Sequence, residues 1–297
     1  MERLICCLTL VLLLVSSGCK RQKAREIIVC GEEQALIIDV DKSEGSNIAV
    51  TWSWKASEDM DAQVPAEYKE YMQSLDECKP VDNGSKILLT SSSGGVLLLE
   101  RESKKILFYA RVIMAHSADL LPDGRLVVAL STSTEGNCLN LYDIRKPDQV
   151  LFTDSLYSGH GAVWVEANKT LYALGFDELR AYSLKDWNTS TPSLQLEKVW
   201  KTPVKRGHDL IQVTDNELIF TGHNGVYWFD MVKESFTPFE PLLGRKNIKS
   251  VNYDKEAGYM VYTQGEVNFW THNIYIENPE KTLTIEDLDL YKARTFK

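Results

Sequence analysis

Three histidines head three similar phrases in the middle of this 297-residue chain: His116-Ser-Ala-Asp-Leu-Leu-Pro-Asp-Gly, His160-Gly-Ala-Val-Trp-Val-Glu-Ala-Asn and His208-Asp-Leu-Ile-Gln-Val-Thr-Asp-Asn. Each opens a short apolar strand, and a polar turn follows about eight residues later. Imidazoles at equivalent places in a repeat suit two chemistries. His116, His160 and His208 could hold a divalent metal with one position open for a water or a substrate carboxylate. Without a metal, Lys249 and Arg294 could grip an anionic group while His160, His208 or Glu77 moves a proton. Nearby cations would keep the imidazoles neutral, as a base requires. A structural alternative stands beside both, in which each strand-head histidine caps a local carbonyl. The chain has no HxH or HxxxH pair, and no Ser-His-Asp arrangement or phosphate loop is recognisable.

The elements that must position these groups are short strands bounded by Gly, Asp, Asn and Pro turns. Repeat units begin at Glu77, His116, His160, His208 and Lys249, and Glu77 to Arg294 spans 217 residues in five steps of about 43. Four-stranded propeller blades have that period. Residues 26–56 hold only three strands, Ile27–Cys30, Ala35–Val40 and Val50–Trp54. The strand-like segment Leu288–Phe296 has no blade of its own and would complete that first blade. The expected fold is all-β, a six-bladed propeller closed by its C-terminal strand, so that no sheet edge stays open. A helical insertion is predicted over 65–75, with Tyr68, Tyr71, Met72 and Leu75 on one face. In the fifth repeat unit, Val267–Trp270 is predicted as a strand.

In such blades the loops entering the inner strands and those between second and third strands emerge on one face. The first set predicts Glu77, His116, His160, His208, Lys249 and Arg294 on one rim; the second adds Glu32, Glu33, Ser91 to Ser93, Asp177, Glu178, His223, Asn224 and Gln264. Glu77, His116, His160, His208, His223, Lys249 and Arg294 are therefore the candidate ligand-binding set, with a small molecule or oligosaccharide as partner. His272 is expected to follow a third strand and to lie apart from them.

The N-terminus reads as export machinery. Leu4–Val15 is an apolar run too short to span a bilayer, followed by Ser16-Ser17-Gly18-Cys19. That pattern resembles a bacterial lipobox, which makes 1–18 a lipoprotein signal, Cys19 the lipidated residue and 19–25 a basic tether before the propeller domain at 26–297. Lys20 after the cysteine favours lipid anchoring at the outer membrane. Beyond Cys19 the cysteines are Cys30, Cys78 and Cys138, an odd number. At most one disulfide can form, with Cys30–Cys78 the favoured pair, and buried free thiols are the stronger expectation. Residues 1–18 contain one Glu and one Arg, so the formal net charge stays at −9 without them. An acidic body excludes nucleic acid as partner. A monomer is expected.

The phrases Ile28-Val29-Cys30-Gly31, Trp52-Ser-Trp-Lys-Ala, Glu77-Cys-Lys-Pro, Ala115-His-Ser-Ala, Ser158-Gly-His-Gly-Ala-Val-Trp and Leu174-Gly-Phe-Asp-Glu-Leu-Arg-Ala-Tyr resemble an uncharacterised family of secreted bacterial six-bladed propeller lipoproteins. The resemblance covers nearly all of the chain beyond the signal; it implies the fold and a setting in glycan utilisation, with no assigned activity. A looser likeness to oligogalacturonate-lyase-type propellers carries over no residue. The function expected is a cell-envelope propeller that binds a small, anionic carbohydrate at the histidine-lined face. Two other classes stay open: a metal-assisted polysaccharide lyase or hydrolase using the same histidines, and a protein-interaction scaffold.

Overall fold

Runs of four to nine residues between turns fold here into strands that pair with their sequence neighbours, except at the point where the ring closes. The computed structural model describes residues 25–296. The first blade contains β1 (Glu26–Gly31), β2 (Gln34–Asp39) and β3 (Val50–Lys55). One-turn helices α1 (Ala56–Asp59) and α2 (Tyr68–Tyr71) lead into the second blade. That blade is β4 (Leu75–Val81), β5 (Lys86–Ser91), β6 (Gly95–Glu100) and β7 (Ile106–Arg111). The third is β8 (Ala115–Leu121), β9 (Arg125–Leu130), β10 (Cys138–Asp143) and β11 (Val150–Ser155). The fourth is β12 (Gly161–Val165), β13 (Thr170–Leu174), β14 (Glu178–Lys185) and β15 (Ser193–Lys201). The fifth is β16 (Gly207–Thr214), β17 (Glu217–Gly222), β18 (Gly225–Asp230) and β19 (Ser235–Pro238). The sixth is β20 (Ile248–Asp254), β21 (Tyr259–Gln264), β22 (Asn273–Glu277) and β23 (Lys281–Thr284). Strand β24 (Leu290–Thr295) then pairs antiparallel with β1, giving the order β24-β1-β2-β3. The protein is a six-bladed β-propeller in which the C-terminal strand supplies the innermost strand of the first blade.

Each blade packs its apolar faces against the next. Leu97 and Leu99 of the second blade meet Trp54 and Ile37 of the first, and Phe220 and Phe229 of the fifth meet Leu174 and Leu179 of the fourth. The inner strands have no sheet partner toward the axis, so side chains tie them around the ring. Ser117 Oγ accepts from Ala162 N at 3.3 Å, Asp209 from Val251 N at 3.1 Å and Ser250 Oγ from Ala293 N at 3.0 Å. Below them Asp119 accepts from Trp164 N at 2.9 Å and Asn252 from Thr295 N at 3.3 Å. These bonds occupy backbone donors that would otherwise be exposed edges.

Several sequence expectations shift in detail. The predicted helix over 65–75 is a single turn, and Leu75 opens β4 instead of ending the helix. Tyr68 and Met72 are nonetheless buried beside Leu75, as the common face predicted. The predicted strand Val267–Trp270 is a lone antiparallel bridge inside the β21–β22 loop, and the third strand of that blade is β22. His272 therefore precedes its strand and lies on the same side as the other histidines, where Nδ1 donates to Leu288 O at 3.1 Å and Nε2 is 3.7 Å from Asp289. Cys30, Cys78 and Cys138 are free and buried, and burial, with Cys30 close by, holds the Cys78 thiol well above its ordinary value. The signal segment, Cys19 and the tether up to residue 24 lie outside the described residues. No helix among the described residues is long and apolar enough to cross a membrane.

Candidate functional site

All six inner strands run from one face, the head, to the other, the tail. At the second residue of the strand the register skips one position: Leu75 pairs with Ser91 and Glu77 with Thr90, leaving Asp76 unpaired between them. The same skip isolates His116, His208, Lys249 and Tyr291. His160 takes the corresponding place just ahead of β12, its N–H donating to Leu174 O at 2.8 Å. These are β-bulges, which re-aim a side chain at the cost of one ladder pair and concentrate near binding sites. Present in five blades and matched by His160 in the remaining one, they deliver Asp76, His116, His160, His208, Lys249 and Tyr291 into one layer around the axis.

The members touch in sequence. His116 Nε2 is 3.7 Å from Asp76, the His116 and His160 rings are 4.5 Å apart, and His160 and His208 are 5.9 Å apart. His208 Nε2 lies 3.3 Å from Lys249 Nζ, which in turn sits 5.9 Å from the centre of the Tyr291 ring. Carbonyls anchor two of the rings: His116 Nδ1 donates to Met114 O at 3.0 Å and His160 Nδ1 to Ser158 O at 2.9 Å. In His160, which burial keeps neutral, Nε2 is then a bare acceptor. His208 Nδ1 is buried without a partner among the described residues.

Burial dominates the titration of this layer. It holds His160 well below the ordinary imidazole value, with His116 and His208 adding to the effect. His208 is pushed down to about 2, by burial first and then by the Lys249 ammonium. Lys249 falls to about 8, again by burial and then by Lys292. Asp76 moves up on burial against the pull of His116, and burial holds the Tyr291 phenol well above its usual range. Apart from the His116–Asp76 contact, burial in this layer is not offset by ion pairs.

One position further along the strands the axis is closed by ions. Arg294 lies between two carboxylates, with Nε and Nη2 each 2.7 Å from Glu77, Nη1 2.7 Å from Asp209 Oδ2 and Nη2 2.5 Å from Asp209 Oδ1. Lys292 Nζ is 3.3 Å from Glu77 and 3.2 Å from Asp209. Burial alone would raise the Glu77 and Asp209 carboxyls, but Arg294 and Lys292 outweigh it and hold both below the usual range. Two cations and two carboxylates thus neutralise one another inside the channel.

The sequence-predicted set therefore divides. His116, His160, His208 and Lys249 share the bulged layer, and His223 stands exposed in the β17–β18 turn of the same face. Glu77 and Arg294 are not rim residues: they lie one and three positions below it, locked in the ion cluster, and the true head residues of their strands are Asp76 and Tyr291. Four of the five Arg294 N–H donors are spent on Glu77 and Asp209. Sequence reasoning missed Asp76, Asp209, Tyr291 and Lys292. The spacing held the signal, since Asp76, His116, His160, His208, Lys249 and Tyr291 follow one another at 40 to 48 residues. Among the described residues, no group of three or more His, Cys, Asp or Glu side chains is arranged to hold a metal ion.

The tail face carries a cavity of about 890 Å³, whose lining includes Lys79, Asp119, Val163, Ile211, Asn252 and Arg294 of the six inner strands. Its charges are spent. Lys79 is 3.6 Å from Asp119 and Lys86 2.7 Å from Asp82, Lys169 pairs with Glu166, and Arg294 belongs to the plug. Desolvated, unpaired titratable groups lie on the head side, and they are the stronger indication of a site.

No curated protein matches the chain. The chain matches a family of unknown function (DUF6528) over residues 22–296, nearly its whole length, and it belongs to that family.

Proposed function

We propose that the head face binds a small polyhydroxylated ligand, a carbohydrate, in the layer formed by Asp76, His116, His160, His208, Lys249 and Tyr291, and that the protein is a carbohydrate-binding propeller of the cell envelope. The observation that carries this reading is the anchored His160 ring at the centre of the layer. It spends its Nδ1 hydrogen on Ser158 O and is held neutral, so its Nε2 is an acceptor left for a ligand rich in O–H donors. Lys249 supplies donors from the next blade but one. Tyr157 and Phe269, 56% and 59% exposed in head-face loops, offer apolar surfaces for the C–H faces of a sugar ring. With Arg294 and Lys292 neutralised by Glu77 and Asp209, the reading favours a neutral sugar over the anionic one expected from sequence. It also favours binding over turnover, because Glu77 is held by two cations and His160 and His208 are too weakly basic to take a proton near neutrality. The apolar run before Cys19 supports the envelope setting.

The test is calorimetric titration of neutral mono- and oligosaccharides into the wild type, His160→Ala and Trp164→Ala. Loss of the ring acceptor should weaken binding about tenfold or more, the size of one or two well-made hydrogen bonds. Trp164→Ala, which alters only the tail cavity, should bind as the wild type does. The reverse pattern would move the site to the tail face, and no heat with any member of the panel would sink the carbohydrate reading.

A further inference from the structure

Lys249 differs from every other buried cation along the axis. It is 1% exposed, and no carboxylate among the described residues lies within ion-pair distance of its Nζ. Its surroundings are the imidazole of His208 at 3.3 Å and the faces of Phe269 and Tyr291, at 5.2 and 5.9 Å from the ring centres. Removing an ammonium from water with no counter-ion is expensive, and the usual response is to lose the proton. The titratable groups around it do not reverse this. His208 and, beyond it, His223 are imidazoles; Tyr291 is a phenol; Lys292 is a further cation; Asp209 is taken by Arg294 and Lys292. Glu266, in the loop that carries Phe269, accepts from Thr271, Asn273 and Tyr275.

We infer that Lys249 is a covalent capture site, whose side-chain amine forms an imine with an aldehyde- or ketone-bearing ligand at the head-face ring. The inference rests on that ring being the ligand site. The nitrogen lone pair attacks the carbonyl carbon, the C–N bond forms as the C=O π bond opens, and a nitrogen proton passes to the oxygen. The resulting carbinolamine loses its hydroxyl with the second nitrogen proton as one water, leaving C=N. No oxidant or reductant enters. A desolvated lysine in an apolar pocket is the environment in which such amines react. Phe269 covers the amine from the solvent side and is itself 59% exposed in the β21–β22 loop, so it is the side chain a ligand must displace. Gly265 lets that loop pass closely: a β-carbon there would stand 2.9 Å from Lys249 Cε.

The experiment is reductive trapping with glyceraldehyde and cyanoborohydride at pH 7.5, with modified lysines located by peptide mass spectrometry. At that pH an amine with a pKa of about 8 is about a quarter neutral, against roughly a thousandth for an ordinary lysine. Even with partial shielding, Lys249 should react about tenfold or more faster than the typical exposed lysine, and faster still in Phe269→Ala. Lys249→Arg should remove the fast phase. Trapping spread evenly over surface lysines, or an unreacted Lys249 in both wild type and Phe269→Ala, would overturn the inference. Titration with an alditol, which has hydroxyls and no carbonyl, separates the two claims. Alditol binding without an adduct leaves the ring as the site and rejects covalent capture; absence of both rejects the pair.

Discussion

Two adjacent layers of one channel deal with buried charge in opposite ways. In the lower layer, Glu77, Asp209, Lys292 and Arg294 satisfy one another with contacts of 2.5 to 3.3 Å. In the upper layer, Lys249 is as buried as these ions, with His116 and His208 nearly so and His160 half-buried. His116 has Asp76 beside it, but Lys249, His160 and His208 have an imidazole, aromatic faces or a carbonyl in place of counter-ions. A fully paired cluster holds a structure together and has nothing left to offer a ligand. Groups that are desolvated and unpaired cost stability, and that cost is the signature of a working site.

Breaking the lower layer should have the largest effect. Glu77→Ala or Asp209→Ala leaves buried cations underpaired and should cost about 3–5 kcal/mol, about 10 °C in melting temperature for a domain of this size. Thermal unfolding followed by circular dichroism reads it, and a loss under about 1 kcal/mol would mean the cluster is more hydrated than its geometry implies. The upper layer predicts the opposite sign. Lys249→Met replaces an unpaired buried amine by an apolar chain of similar length and should stabilise the fold at pH 7 by about 1–3 kcal/mol, measured as a higher urea midpoint. If that variant is destabilised instead, Lys249 is a structural cation and the contrast between the layers fails.

The smallest effect is in pH dependence. The folded values of His160 and His208 lie below the unfolded value near 6.5, so acid favours the unfolded chain. Stability should begin to fall as pH drops below about 6.5, by up to about 1.4 kcal/mol per unit for each such group. Glu77 and Asp209 are depressed below their unfolded values near 4, so their contribution is complete above that and is lost only at lower pH. Unfolding at pH 6.5 and 5.5 therefore lies above the range of Glu77 and Asp209. Asp76, whose carboxyl burial raises, contributes there with the opposite sign, so the histidine part is read as the difference between wild type and variant. His208→Gln should flatten the slope between those points by about 1 kcal/mol; an unchanged slope would show that His208 is not the desolvated imidazole described here.

What could be read from the sequence was the part carried by repetition. Three histidines at nearly constant spacing, and a first blade one strand short, were enough for six blades and for closure by 288–296. The layer itself was only half legible. Asp76 and Tyr291 occupy the same bulge as His116 but share no residue type with it, so matching by chemistry chose Glu77, one position along, and Arg294, three positions along. A bulge is a backbone irregularity with no residue signature of its own, and a slip of one position decides whether a side chain reaches the rim or the plug. The pairing of Arg294 with both Glu77 and Asp209 joins residues 217 and 85 positions apart, a relation that no local pattern encodes. Val267–Trp270 misled for the converse reason: its composition suits a strand, but only one bridge forms there.

Closure by β24 also dictates an order of assembly. Both cations of the plug, Lys292 and Arg294, are made after every other strand of the ring, while Glu77 is made with the second blade and Asp209 with the fifth. Until the final strand docks, the two carboxylates lack both counter-ions. Docking of β24 thus neutralises charge as well as pairing strands, and a chain cut before Lys292 would carry all the blade sequences but one strand while lacking the counter-ions that let its centre go dry.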